Sequence, residues 1–246
     1  MKNNKTFVFN GIKFIYTEEL DGGASYHANL FMPVIRHFNT NRGIATKYNK
    51  CLEMFAGVGI TGLILVLEGL CNSVDLVDIN PAISEYALSN IKNASLESKA
   101  NLIISDLFEG VNDKRYDLII GNPPRISDPS KIQPSKFLKA ADIDYSLHQK
   151  FLEKLYAHLN PNGLALLLED WKNMPVSALH YLEQSHNKNY RWEIVRPTLI
   201  DSFRGASLAF KGRGSSLQHT RKSFVSLPYE TIRWRRHFYF IKIMTK

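Results

Sequence analysis

The sequence predicts an α/β fold: a doubly wound, mostly parallel sheet of seven strands with an antiparallel last strand, preceded by a short N-terminal β-hairpin and helix. Three observations carry that prediction. From Lys50 onward, short apolar runs alternate with segments of helical periodicity. Several of the runs, above all Gly163 to Leu168, are aliphatic throughout, as strands buried on both faces of a parallel sheet are. The first such unit has a glycine-rich turn between strand and helix, and its second strand ends on an acid, Asp78.

Taken in order, Thr6 to Tyr16 has two apolar runs flanking Asn10-Gly11, a dipeptide that supplies the positive φ angles of a two-residue hairpin turn. Gly22-Gly23 breaks the chain, and Leu30, Phe31, Val34, Ile35 and Phe38 then recur at helical spacing within Tyr26 to Phe38. Cys51 to Phe55 reads as a strand, Ile60 to Leu70 as a helix, Ser73 to Val77 as a strand and Pro81 to Ile91 as a helix with proline at its start. Asn101 to Ser105 and Tyr116 to Ile120 are strands, Tyr145 to Leu159 a helix and Gly163 to Leu168 a strand. Further on, Val176 to Ser185 reads as a helix, Arg191 to Val195 as a strand and Trp234 to Ile243 as the last strand. Residues 1–47 are expected to form a cofactor or substrate cover and residues 48–246 the core. A loop at about 197–233, rich in Gly and Ser, is long enough to suggest a functional role.

Composition narrows the function. Hydrophobic residues at 44% and charged residues at 22% describe a chain that can bury a core, which excludes a disordered or fibrous class. The longest apolar run, Gly62 to Leu67, falls far short of the roughly 20 residues that cross a bilayer, so no membrane partner and a cytoplasmic location are expected. Cys51 and Cys71 lack metal-ligand spacing and are expected as small core residues in a reducing compartment, with no metal. The net charge of +8 is concentrated at one end. Residues 211 to 246 hold nine Lys or Arg against Glu230 alone, leaving 22 bases and 22 acids in the first 210 residues. Such a segment can draw in a nucleic acid or another polyanion, although a solvated charged face is the commoner reason for it. In the same segment, Arg233-Trp234-Arg235-Arg236-His237-Phe238-Tyr239 fits an edge strand protected by charge better than a single-strand binder.

The chemistry-bearing residues fall in two groups. Glu53-Met54-Phe55-Ala56-Gly57-Val58-Gly59-Ile60-Thr61-Gly62 sets G-x-G-x-x-G between a strand and a helix, where small residues let the backbone approach a ligand and the helix N-terminus offers amide donors. Asp78, followed by Ile79, lies 19 residues beyond Gly59, where a carboxylate meets the two ribose hydroxyls of an adenosine-bearing cofactor. Glu53 would face the cationic end of S-adenosylmethionine but repel a pyrophosphate, which disfavours a nicotinamide-dependent oxidoreductase. Asp106 and the amide of Leu107 are placed to bond adenine.

The second group is Asn122-Pro123-Pro124-Arg125, at the carboxyl end of the fourth strand of the sheet, where open α/β sheets bind ligands. The Asn122 side-chain oxygen and the carbonyls around Pro123 would form an acceptor pair for the two hydrogens of a weakly nucleophilic nitrogen, which they pyramidalise and aim. Arg125 can stack on a planar substrate or grip a carboxylate or phosphate. Tyr26 and His27, ahead of the core, are further candidates for lining the substrate site. His148 and His158 fit surface or packing positions on an amphipathic helix.

Glu53 to Gly62, Val77 to Pro81, Ser105 to Phe108, Tyr116 to Ile119 and Asn122-Pro123-Pro124 together resemble the successive motifs of Rossmann-fold S-adenosylmethionine-dependent methyltransferases. More narrowly they are similar to the HemK-like group, which modifies glutamine amides in release factors or ribosomal proteins, and to related enzymes that methylate nucleobase amines. The resemblance spans about residues 48 to 170. It implies a Rossmann-like fold, cofactor contacts from Glu53, Gly57, Gly59, Asp78 and Asp106, and an amino-group clamp at Asn122 and Pro123. Arg125 stands where that family usually has an aromatic residue. The expected activity is N-methyl transfer from S-adenosylmethionine to an amide, amidine, guanidine or aryl amine of an amino-acid-like small molecule, peptide or protein. Two alternatives are a methyltransferase of a nucleobase amine in RNA or DNA, and a non-catalytic binding module on the same fold.

Overall fold

The computed structural model describes residues 4–17, 19–20, 31–36, 39, 47–132, 140–170, 190–195 and 238–245. Its first unit is a hairpin of β1 (Lys5–Phe9) and β2 (Ile12–Tyr16), paired antiparallel with Phe7 opposite Phe14. Asn10 and Gly11 take φ of 49° and 80°, the positive pair that a tight hairpin turn requires. Phe7, Phe9 and Phe14 are buried in the same cluster as Phe31, Met32, Val34 and Ile35 of the helical residues 31–36.

The main sheet has seven strands: β3 (Tyr48–Met54), β4 (Cys71–Asp78), β5 (Ala100–Ile104), β6 (Tyr116–Gly121), β7 (Leu159–Asp170), β8 (Tyr190–Val195) and β9 (Phe238–Thr245). Their order is β5-β4-β3-β6-β7-β9-β8, and β9 alone runs antiparallel to its neighbours. The order reverses between β3 and β6, so their carboxyl ends form the crevice where such sheets bind ligands. Helices α1 (Ile60–Leu67), α2 (Ser84–Asn93) and α3 (Ser146–His158) connect the strands. The segment that the sequence presents as one helix from Pro81 divides into a 3-10 turn over Pro81–Ile83, capped by the Asn80 side chain on the Ala82 amide, and then α2. One core packs against the hairpin side, around Leu63, Leu76 and Ile120, and a second lies around Met54, Phe108, Phe151 and Ile241.

Two expectations are corrected. Cys51 and Cys71 are not free: they form a disulfide with their Cα atoms 6.3 Å apart, both buried. Parallel pairing sets Tyr48 opposite Cys71 and Cys51 opposite Val74, so residues 20 apart in sequence meet across adjacent strands. The last strand is not an edge strand. It is inserted between β7 and β8, with Phe240, Ile241 and Ile243 buried and Lys242 paired to Glu193. Residues 233–237, the 197–233 loop and most of the basic segment lie outside the described residues.

Several polar groups at the amino ends of the strands serve the frame. Asp117 accepts the amides of Asn49 and Lys50 at 3.0 and 2.9 Å and the Asn160 side chain at 2.7 Å, tying β6 to β3 and β7. Asp75 on β4 is buried and accepts from Tyr116 Oη at 2.8 Å and from Lys114 and Asn101 at 3.0 Å each. Burial opposes ionisation of Asp75, and these three donors outweigh it to hold its carboxyl below the usual range. Burial, followed by the Asp75 charge beside it, pushes the Tyr116 phenol well up.

Candidate active site

The glycine turn is shaped by steric demands visible atom by atom. Phe55, Gly57 and Gly59 take φ of 60°, 53° and 79°, and a Cβ on Gly59 would stand 2.5 Å from Leu76 Cδ1. A Cβ on Gly62 would meet Glu53 Oε2 and Leu76 Cδ2 at 2.8 Å and Val74 Cγ2 at 2.9 Å. The third glycine is therefore a packing requirement between α1 and the sheet. Its amide donates to Glu53 Oε2 at 2.7 Å, so the carboxylate of β3 caps the first turn of α1 from below. Glu53 is thus buried at the mouth of the helix. Ala56, also buried, donates its amide to Val77 at 3.0 Å and closes the turn against β4.

Asp78 lies beside this turn. Its Oδ2 accepts the Gly57 amide at 2.8 Å and its Oδ1 the Asn80 amide at 2.9 Å, while its carbonyl accepts the Ser105 amide at 2.9 Å. Burial raises the Asp78 pKa by more than the amides of Asn80, Gly57 and Ile79 lower it. The Ser105 contact brings the end of β5 alongside, with Asp106 exposed and Leu107 buried at a positive φ of 49°. Ile79 and Ile104 are among the few large apolar side chains left exposed, at 51% and 42%, on the strand ends next to Asp78. A carboxylate flanked by two apolar faces and a second acid suits a ribose bearing a planar base.

At the end of β6, Gly121 packs its backbone against Phe55: a Cβ on this glycine would stand 3.3 Å from Phe55 Cδ2, and the close approach joins the glycine turn to Asn122. Pro123 and Pro124 are buried and Asn122 is half-buried. The acceptor pair is not left open to solvent, as the sequence suggests. Arg125 folds back over it: one terminal nitrogen donates to Asn122 Oδ1 and, at 3.1 Å, to the Leu168 carbonyl, while Nε donates to the Pro123 carbonyl at 3.3 Å. Arg125 thus lies over the acceptor pair, with its Nε 3.9 Å from Glu169 Oε2. Its own backbone explains the turn-back, since the amides of Arg125 and Ile126 both donate to the Ala140 carbonyl, at 3.1 and 2.8 Å, and the Asp142 amide donates to Ile126 at 3.1 Å. The long excursion after Asn122 thus returns to its starting point.

That return brings in residues no motif marks. His148, on α3, is fully buried rather than on the surface; Nδ1 contacts Asp142 Oδ2, and Nε2 contacts Glu169 Oε1 at 3.0 Å. Burial works to lower its pKa, but the charge of Glu169 foremost, with bonds to Asp142 and Glu169, raises it to about 9. Glu169 lies at the end of β7, and its Oε2 lies 3.9 Å from Arg125 Nε. A signal for Glu169 is present in the sequence: it is the acid that follows an aliphatic strand adjacent to the one bearing Asn122. His158 is also buried, stacked on Phe108 with centroids 4.3 Å apart, and burial lowers its pKa. Tyr26 and His27 lie outside the described residues.

Known proteins are similar to this chain in sequence and in fold. The family profile described as methyltransferase small domain matches residues 34–188. A ribosomal protein uL3 glutamine methyltransferase of Neisseria meningitidis is 28% identical over 143 residues, 55% of this chain and 46% of the relative. The protein of the same description from Bradyrhizobium diazoefficiens is 33% identical over 126 residues, 48% of this chain and 40% of the relative. The chain thus spans less than half the length of these relatives. Among solved structures, a methyltransferase complexed with SAH superposes with a TM-score of 0.58 at 12% identity, covering 99% of this chain and 56% of that one. A SAM-dependent methyltransferase from Streptococcus mutans gives 0.56 at 16% identity, with coverage of 99% and 56%. At such identities the structural likeness establishes the shared fold.

Proposed function

This chain belongs to the methyltransferase small domain family, and from that premise we propose that it transfers the methyl group of S-adenosylmethionine to a planar nitrogen held by Asn122 and Pro123. The observation that carries this reading is the position of the Arg125 guanidinium. Its planar N–H groups already lie on Asn122 Oδ1 and the Pro123 carbonyl, so the clamp receives a planar nitrogen donor. An amide, amidine, guanidine or aryl amine presents the same donor pattern. Its lone pair is delocalised, and two fixed acceptors on its hydrogens turn that lone pair out of conjugation and toward the methyl carbon.

The cofactor supplies an electrophilic methyl group on a sulfonium. The residues present fit it: the turn at Gly57 and Gly59 would admit a chain closely, the Asp78 carboxylate would take vicinal hydroxyls, and Ile79 and Ile104 would offer apolar faces to a planar base, with Asp106 to bond its amine. The acceptor class is a peptide, a protein or an amino-acid-like small molecule. The printed activity of the uL3 relatives, on glutamine, is one instance of a planar nitrogen.

Asn122→Ala tests the clamp. Calorimetry should find S-adenosylmethionine binding within about threefold of the unaltered protein, and labelled methyl transfer into a cell extract should fall by on the order of a hundredfold or more. Full transfer by the variant would remove the clamp from the mechanism. Label recovered on oxygen or carbon in the product would overturn N-methylation itself.

A further inference from the structure

Behind the clamp lies a buried cluster of charges that the reading above leaves unused. Glu169 is fully buried. Its Oε1 meets His148 Nε2 at 3.0 Å, and its Oε2 has no hydrogen-bond partner among the described residues while lying 3.9 Å from Arg125 Nε. The opposite ring nitrogen of His148 meets Asp142, which also accepts the amides of Leu147 and His148 at 2.8 and 3.2 Å. With the imidazole protonated between its two carboxylates, the group of Asp142, His148, Glu169 and Arg125 carries two negative and two positive charges. It is neutral only while Arg125 is in place, and an uncompensated charge at such depth is strongly disfavoured.

Arg125 covers the acceptors that a methyl acceptor needs. On the N-methyltransferase reading, on which this inference rests, the acceptor must displace that guanidinium from Asn122 and Pro123. What remains is a receptor already shaped for a guanidinium: a side-chain oxygen, the carbonyls of Pro123 and Leu168, and a carboxylate oxygen in need of a donor. We infer that the acceptor is itself a planar cation, a guanidinium or amidinium, whose charge replaces that of Arg125 against Glu169. A neutral carboxamide satisfies Asn122 and Pro123 but leaves Glu169 uncompensated. Transfer forms the bond from nitrogen to methyl carbon and breaks the bond from carbon to sulfur, leaving a neutral thioether. The acceptor nitrogen loses one proton, for which Glu169 Oε2 is the carboxylate oxygen at hand, and the methylated product keeps its single positive charge.

The experiment is calorimetric titration of the full chain with N-methylguanidinium and with acetamide, a charged and a neutral probe of the same planar pattern. In Arg125→Ala, methylguanidinium should bind at least tenfold more tightly than acetamide and more tightly than to the unaltered protein, where Arg125 competes. Adding Glu169→Gln should abolish that preference. If Arg125→Ala does not fold, Arg125→Gln, which keeps a donor near Asn122 without the charge, should show the same preference. Equal or tighter binding of acetamide, a preference that survives Glu169→Gln, or no methylguanidinium binding in the folded variant would each overturn the inference. Failure of the methyltransferase reading would appear separately, as loss of S-adenosylmethionine binding to the unaltered protein.

Discussion

Raising the pH from about 6 to about 10 should remove roughly 3 kcal/mol from the folding free energy through His148 alone. Its imidazole titrates at about 9 in the folded protein, against 6.5 for the ordinary side chain, because Glu169 and Asp142 hold the proton in place against the opposing effect of burial. Below 6.5 both folded and unfolded chains carry the proton, and the stabilisation is complete. Between 6.5 and 9 only the folded chain holds it, so stability falls as pH rises, by up to about 1.4 kcal/mol per pH unit, and above 9 the contribution is gone. The groups facing the ring are Asp142, Glu169 and, through Glu169, Arg125, with the Tyr145 ring 6.3 Å away. Two usual contributors to alkaline titration are silent in this window: Cys51 and Cys71 are bonded to each other, and the Tyr116 phenol is displaced upward. Urea unfolding at a series of pH values reads the effect as a falling midpoint at constant slope, and His148→Asn should flatten the fall. A flat profile in the unaltered protein, or the same fall in His148→Asn, would refute the assignment of the proton to this cluster.

Two further perturbations follow from packing. Gly62→Ala should destabilise by about 1–2 kcal/mol despite the better helix propensity of alanine, because its Cβ must push aside Glu53, Leu76 and Val74; calorimetry should show weakened cofactor binding in the same variant, since Glu53 moves with it. Asp75→Ala should cost about 2–4 kcal/mol in urea unfolding, because it strands the buried Tyr116 hydroxyl and takes the acceptor from Lys114.

Much of the sheet is legible in the sequence because its signals are local. Continuous aliphatics mark Leu164 to Leu168 as buried on both faces, and Asn10-Gly11 specifies its own turn. Strand order is not local, and nothing in Phe238 to Thr245 states that it will insert between β7 and β8. The disulfide depends on the same kind of information, since only the parallel register of β3 and β4 brings Cys51 to Cys71. The turn glycines, Glu53, Asp78 and Asn122 can be named from spacing, but that a Cβ on Gly62 would meet Glu53, Leu76 and Val74 cannot, because the seating of α1 on the sheet decides it. Arg125 stands out as an oddity of the motif, but its direction is set by Ala140 and its charge is matched by Glu169, and neither is near in sequence.

Asn90, buried in α2, accepts the Ile15 amide at 2.7 Å and donates to the carbonyls of Ile15 and Val58 at 3.0 and 3.1 Å. One carboxamide therefore grips the outer edge of the hairpin and the middle of the glycine turn together. Seating the hairpin and ordering the turn become a single equilibrium rather than two. By reciprocity, whatever free energy a ligand spends on fixing the turn at Val58 reappears as tighter attachment of residues 5–16, and a hairpin pulled away from α2 is felt as weaker affinity in a crevice it does not need to touch.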